Sequence, residues 1–195
     1  MNFRELISNK PQSPIPNIKG WFDFANIYDF AVDHFPNGST FVEVGCWEGK
    51  STAYMASRIK ESKKQIHFIC VDIWKTYCGE WSNIFPIFKN NLQSLSLFDS
   101  IVPIQGESTV VAGMFPPQHI DFIFLDAGHD YDSVKNDIIY WLPKIKPNGI
   151  MAGHDFTPKW NGVVKAVQEQ FETFEVINSS WITQISHNNS SLKLL

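Results

Sequence analysis

Residues Thr40 to Thr52 read TFVEVGCWEGKST, and this stretch constrains the fold more than any other in the chain. Three β-formers, Phe41, Val42 and Val44, surround an acid, Glu43, and run into Gly45; Gly49 follows four residues later, at the head of a segment with helical spacing. A strand that turns tightly into a helix leaves the first N–H groups of that helix unpaired and facing a bound molecule. Glycine at 45 lets the main chain turn without a Cβ clash, and glycine at 49 is expected to let a ligand approach the backbone. The spacing is E-x-G-x-x-x-G, not the G-x-G-x-x-G whose close first pair of glycines admits a dinucleotide pyrophosphate.

The rest of the chain alternates strand and helix signals. Residues 1–19 read as an irregular arm with a short helix at Phe3 to Ser8, and Trp21 to Phe35 has helical spacing, ended by Pro36-Asn37-Gly38. Gly49 to Glu61 predicts an amphipathic helix, His67 to Asp72 a buried strand, Ile73 to Ser82 a loop, and Asn83 to Leu97 a helix. Ile101 to Ile104 predicts a short strand followed by a modest helix up to Pro116-Pro117; Ile120 to Leu125 is a strand and Tyr131 to Leu142 a helix. Pro147-Asn148-Gly149 punctuates the chain before a strand at Ile150 to Gly153, Asn161 is placed to cap the next helix, and Phe174 to Asn178 and Trp181 to His187 form a hairpin joined by Ser179-Ser180. This order predicts an α/β, doubly wound, mostly parallel sheet with an antiparallel strand at its C-terminal edge.

Parallel sheets bind ligands outside the carboxyl ends of their strands. Glu43, Asp72, Asp126 and Asp155 all fall at or near such ends, so four carboxylates are expected along one rim. Asp72 lies close to the spacing of about 20 residues at which an acid after the second strand takes ribose hydroxyls; the alternative is a strand-end cap. His129 reads as a general base or a pocket wall, His154 as a structural hydrogen-bonding residue, a ligand or a base, and Asp130 or Asp132 as a cap for the helix near Tyr131. Trp47, Trp74, Tyr77, Trp81 and Trp160 either cover a core edge or stack on a ligand.

Two stretches resemble a known family. Thr40 to Thr52 resembles motif I of class I S-adenosylmethionine (SAM)-dependent methyltransferases. FIFLDAGHDYDSVKNDIIYWLPKIKPNGIMAGHDF, Phe122 to Phe156, resembles a branch of small O-methyltransferases related to macrocin-type sugar O-methyltransferases and the cephalosporin hydroxylase group. The resemblance, which covers about Gly38 to Phe171, implies a Rossmann-like sheet of seven strands with an antiparallel C-terminal hairpin strand, and O-methyl transfer from SAM to a small molecule such as a sugar. It implies that the cofactor is bound by Glu43 at its methionine end, by Gly45, Cys46, Trp47, Gly49 and Ser51, by Asp72 and Ile73, by Gly106, Glu107 and Ser108 around the adenine, and by Asp126. It also implies a divalent metal, Mg²⁺ or another, on Asp126, His154 and Asp155, with catalysis by Asp126, His129 and His154. His154 stands where the branch often has an acid, and imidazole suits a softer ion than Mg²⁺.

Composition bounds the partners. The chain has 195 residues, enough for one domain spanning 1–195, and 44% apolar content argues for a packed core. Net charge is -4 and the 16 Lys and Arg are scattered, so no nucleic-acid partner is expected. No window approaches the run of about 20 apolar residues that spans a membrane, and the opening MNFRELISNKPQ lacks a signal-peptide core, so cytoplasmic localisation is expected. Cys46, Cys70 and Cys78 show no C-x-x-C spacing; Cys46 and Cys70 are expected to pack. Few insertions leave a shallow acceptor pocket or one completed by the second subunit of a homodimer. The competing readings are a nicotinamide-dependent oxidoreductase, which the glycine spacing disfavours, and a SAM-binding module without turnover.

Overall fold

The computed structural model describes residues 1–7, 16–77 and 81–186 and contains the sheet that the strand and helix signals predict. The strands are β1 (Thr40–Val44), β2 (His67–Asp72), β3 (Lys75–Tyr77), β4 (Trp81–Asn83), β5 (Val102–Gln105), β6 (Ile120–Leu125), β7 (Ile145–Gly153), β8 (Glu175–Ile177) and β9 (Ser180–Gln184). The helices are α1 (Phe3–Leu6), α2 (Ala25–His34), α3 (Lys50–Ser62), α4 (Phe85–Ser94), α5 (Ser108–Ala112), α6 (Tyr131–Trp141) and α7 (Asn161–Gln170). Seven strands form one Rossmann-like sheet in the order β5-β2-β1-β6-β7-β9-β8. The first five are parallel, and β9 runs antiparallel to both β7 and β8. From β1 the chain builds outward through β2 to β5, then crosses back to β6. The strand order therefore reverses between β1 and β6, where such sheets open a crevice.

Alternation along the central strands makes two core layers. Phe41, Phe122 and Phe124 face α2, α3 and α4, whereas Val42, Val44, Ile123 and Leu125 face α5, α6 and α7. On the first face Phe24 stacks on Phe124 with ring centres 4.4 Å apart, and Tyr28 meets Phe124 edge-on at 5.1 Å. Each phenylalanine buried this way contributes about 2–3 kcal/mol of transfer free energy. The Phe24 contact holds the residue just before α2 on this face of the sheet. Among the described residues, no helix is long and apolar enough to cross a membrane.

Several boundaries differ from the sequence reading. Trp21 to Phe24 precede α2 without joining it, and the expected loop at Ile73 to Ser82 contains strand β3 and the start of β4, a two-stranded hairpin. Pro147-Asn148-Gly149 does not separate elements but bulges within β7. The pairing moves from Ile120 with Ile145 to Phe122 with Ile150, and Asn148 takes a left-handed φ of 62°. Asn161 is the first residue of α7 and makes no capping bond. The C-terminal hairpin turns at Asn178-Ser179, with Ser180 already inside β9. Expectations for Ser8, Cys78, His187 and the rings of Tyr77 and Trp81 lie outside the described residues.

Candidate active site

A cavity of about 1090 Å³ opens over the carboxyl ends of β2, β1 and β6, at the point where strand order reverses. The β ladders run straight into it: Gly45 N–H donates to Val71 O at 2.9 Å and Asp126 N–H to Val44 O at 2.8 Å. Gly45 has φ +90°, and a Cβ there would sit 2.0 Å from the Asp126 carbonyl oxygen, so only glycine lets the loop cross this close to β6. Asp72 closes the loop from the other side. Its Oδ2 accepts the main-chain N–H of Cys46 and of Trp47, both at 2.8 Å, and its Oδ1 accepts that of Trp74 at 2.6 Å. A carboxylate offers about four acceptor positions, and among the described residues Asp72 has three of them filled as it lines the cavity.

Gly45, Cys46, Trp47 and Ser51, with Asp72 and Ile73, line the cavity, as do Gly106, Glu107, Ser108 and Asp126. Two expected ligand contacts do not. Gly49 has φ +93° and turns its Cα toward α4, where a Cβ would meet Leu92 Cδ2 at 2.5 Å; its role is helix packing. Glu43 is 1% exposed and points to the opposite face, accepting the hydroxyls of Tyr28 at 2.9 Å and of Thr52. Burial raises its carboxyl to about 7 against the hydroxyls that hold it down. The rim therefore carries three of the four expected acids. Trp74 is likewise core, fully buried against Phe85 and Phe88, while its Nε1 donates to Trp47 O at 3.1 Å. Trp47 and Trp160 remain on the cavity wall. Cys46 and Cys70 are buried thiols whose pKa values burial raises.

Because β6 pairs with β7 and His154 N–H continues that ladder to Leu125 O at 3.1 Å, Asp126, His154 and Asp155 meet at one edge. One donor atom from each lies within 4.8 Å of the other two. His154 Nδ1 is 3.6 Å from Asp126 Oδ1 and 3.4 Å from Asp155 Oδ2, and its Nε2 contacts Asp23 Oδ1 and Ser179 Oγ, both at 2.9 Å. The Ser179 hydroxyl also donates to Asp23 Oδ2 at 2.8 Å. Burial opposes a charge on His154, but Asp126 and Asp155 raise it to about 10. Both ring nitrogens face protein groups, so His154 has none left to take a substrate proton. Asp155 is a non-glycine residue at φ +59°, a conformation that costs about 1–2 kcal/mol. Burial works to raise its carboxyl, but hydrogen bonds from His129 and His154 hold it well below the usual carboxylate range. Asp126 moves the other way, raised by burial despite His154 beside it.

His129 lines the cavity with its Nε2 2.7 Å from Asp155 Oδ2 and its ring stacked on Trp160 at 4.4 Å. The Asp155 hydrogen bond raises its pKa above the ordinary value. Asp130 caps α6, accepting Ser133 N–H at 3.0 Å, and takes no part in the cavity wall. Asp23 and Ser179, which orient His154, carry no motif: one lies just before α2 and the other in the turn between β8 and β9. Asp137 also lines the cavity; it sits on the buried stripe of α6 with Val134, Ile138 and Trp141, and an acid interrupting that apolar face is the signal that marks it.

A sequence-family model described as "Methyltransferase domain" matches residues 42–156. Among solved structures, a SAM-dependent O-methyltransferase from Thermotoga maritima superposes with a TM-score of 0.60 at 13% identity, covering 86% of this chain and 68% of that one. Cofactor-bound Rv0187 from MTB gives 0.63 at 13% identity over 89% and 85% of the two chains. An rRNA methylase from Streptococcus thermophilus gives 0.60 at 13% identity over 85% and 98%. At these identities the likeness is one of fold.

Proposed function

Because the chain belongs to the methyltransferase-domain family, we propose that it transfers a methyl group from SAM to a hydroxyl oxygen of a small molecule, a sugar being the leading candidate. The resemblance of Phe122 to Phe156 to small O-methyltransferases supports oxygen as the acceptor atom. The observation that carries the reading is the cavity itself: a glycine loop pinned by Asp72 at one side, and a His129–Asp155 pair at the other. A net charge of -4 with Lys and Arg scattered along the chain favours a small acceptor over a polyanion.

The sulfonium is already activated, so the protein must bring acceptor oxygen, methyl carbon and sulfur into line and remove the hydroxyl proton. Alignment in a fixed site can supply about 7–11 kcal/mol. Asp72, with one acceptor position unfilled among the described residues, takes a ribose hydroxyl, and the loop from Gly45 to Trp47 carries the methionine end. With Nε2 held by Asp155 and the ring fixed on Trp160, His129 Nδ1 is the nitrogen left to accept the proton, a contribution of about 10²–10⁴-fold. His154 is a positioning residue for Asp126 and Asp155.

The cluster also fits a divalent ion. Asp126, His154 and Asp155 would hold it, and Asp23 on His154 Nε2 is the carboxylate that commonly orients a ligating imidazole. Two oxygens and a nitrogen suit Mn²⁺, Fe²⁺ or Zn²⁺ better than Mg²⁺. When bound, such an ion supplies Lewis acidity to the acceptor oxygen.

Mass spectrometry of reactions with SAM and a panel of sugar and phenolic hydroxyls, with and without Mn²⁺, tests this. Acceptor-dependent formation of S-adenosylhomocysteine (SAH) and an O-methyl product is expected. Methylation confined to nitrogen or carbon would refute the O-transfer, and no SAM binding would refute the whole reading.

A further inference from the structure

The cavity wall includes one buried acid that the mechanism above does not use. Asp137 on α6 is 6% exposed and lines the cavity together with Asn136, beside the first residue of α5. Burial raises its carboxyl to about 6, opposed by the hydroxyl of Ser108. That hydroxyl accepts from Trp141 Nε1 at 2.8 Å, so its own proton is free to point at Asp137. The arrangement presents Asp137 as an acceptor. Among the described residues Ser108 is the hydrogen-bond donor to Asp137, filling one of roughly four acceptor positions, and a buried carboxylate is costly to leave short of donors, which a ligand can supply.

The sheet order says which part of the ligand comes here. With the ribose on Asp72 at the end of β2 and the sulfonium toward Asp126 and His129, the base extends over the next strand on the other side, β5. Beyond β5 lie Gly106, Glu107 and Ser108, with Asp137 behind them. Adenine carries acceptors at its ring nitrogens and a single hydrogen-bond donor group, the 6-amino group. A carboxylate facing its edge therefore has one group to pair with.

We infer that Asp137 selects the cofactor's base by accepting a hydrogen bond from the adenine 6-amino group, with Ser108 orienting the carboxylate. The inference rests on the SAM reading above. It makes Asp137 a specificity residue of the cofactor site, separate from the acidic cluster that serves the acceptor.

Calorimetric titration of the full chain with SAH, and with the SAH analogue carrying hydrogen in place of the 6-amino group, separates the possibilities. A hydrogen bond to a charged acceptor predicts that the wild type binds SAH roughly ten- to a hundredfold more tightly than the analogue. Asp137→Ala brings that ratio close to one, Asp137→Asn, which keeps a neutral acceptor, retains part of it, and Ser108→Ala reduces it while leaving the carboxylate in place. Equal affinities in the wild type, or an undiminished ratio in Asp137→Ala, would overturn the assignment while leaving the methyltransferase reading intact. Failure of the wild type to bind SAH at all would remove both.

Discussion

Asp72 Oδ2 accepts the main-chain N–H of Trp47 at 2.8 Å, which ties the loop after β1 to the end of β2. The same carboxylate takes the N–H groups of Cys46 and Trp74, so one side chain sets the shape of the ligand loop. Hydrogen bonds to a charged acceptor contribute about 1.5–3 kcal/mol each. Asp72→Ala is expected to weaken SAH binding at least tenfold and to lower the unfolding free energy, read by calorimetry and urea denaturation. Unchanged binding would show that the loop holds its shape without the acid.

Gly45 gives a second test of the same loop. Alanine there meets the Asp126 carbonyl at 2.0 Å and must also hold φ +90°, so Gly45→Ala is expected to cost about 3 kcal/mol and to abolish cofactor binding. Gly38 also has a positive φ, +82°, but nothing lies within 4 Å of its Cβ position. Gly38→Ala should therefore cost only about 1–2 kcal/mol and leave binding unchanged. Similar losses in the two variants would mean that backbone strain, not the approach to β6, sets the requirement.

Much of this was legible in the chain because strand ends announce themselves. The apolar runs ending at Asp72, Asp126 and Gly153 predicted both the sheet and the convergence of Asp126 with Asp155, which pairing of β6 with β7 delivers. Glu43 shows the limit of that reasoning: an acid near a strand end faces one side of the sheet or the other, and Tyr28 and Thr52 claim this one. Gly49 misled for a related reason, since a left-handed glycine serves packing against Leu92 as well as a ligand. Asp23 and Ser179 were invisible because their partner His154 lies 131 and 25 residues away, and only the folded sheet brings them together.

Glu43 makes stability depend on pH in a predictable direction. Its carboxyl titrates at about 7 in the folded chain against an ordinary value of 4.5. The folded state thus holds a proton that the unfolded chain has lost, so stability is greatest below 4.5 and declines as pH rises to about 7. At about 1.4 kcal/mol per pKa unit the decline is on the order of 3 kcal/mol. Glu43→Gln should remove this component, gaining on the wild type between pH 5 and pH 8 in urea denaturation. A difference that stays constant with pH would contradict it.

The acidic edge divides into two roles that variants can separate. His129→Ala is expected to lower kcat by about 10²–10⁴-fold with SAM affinity unchanged. Asp126→Ala is expected to lower both turnover and the Mn²⁺ content measured by atomic emission after equilibration. Unaltered turnover and metal content in Asp126→Ala would remove that residue from the account.

The central claim is that the cavity above Gly45 and Asp72 receives SAM with its sulfur directed toward His129. A crystal structure of the protein with SAH tests it most directly. The account predicts a ribose hydroxyl on the Asp72 carboxylate, adenine over Gly106 to Ser108, and sulfur on the side of Asp126 and His129. SAH bound elsewhere, or bound in the reverse sense with its adenine against His129, would contradict it.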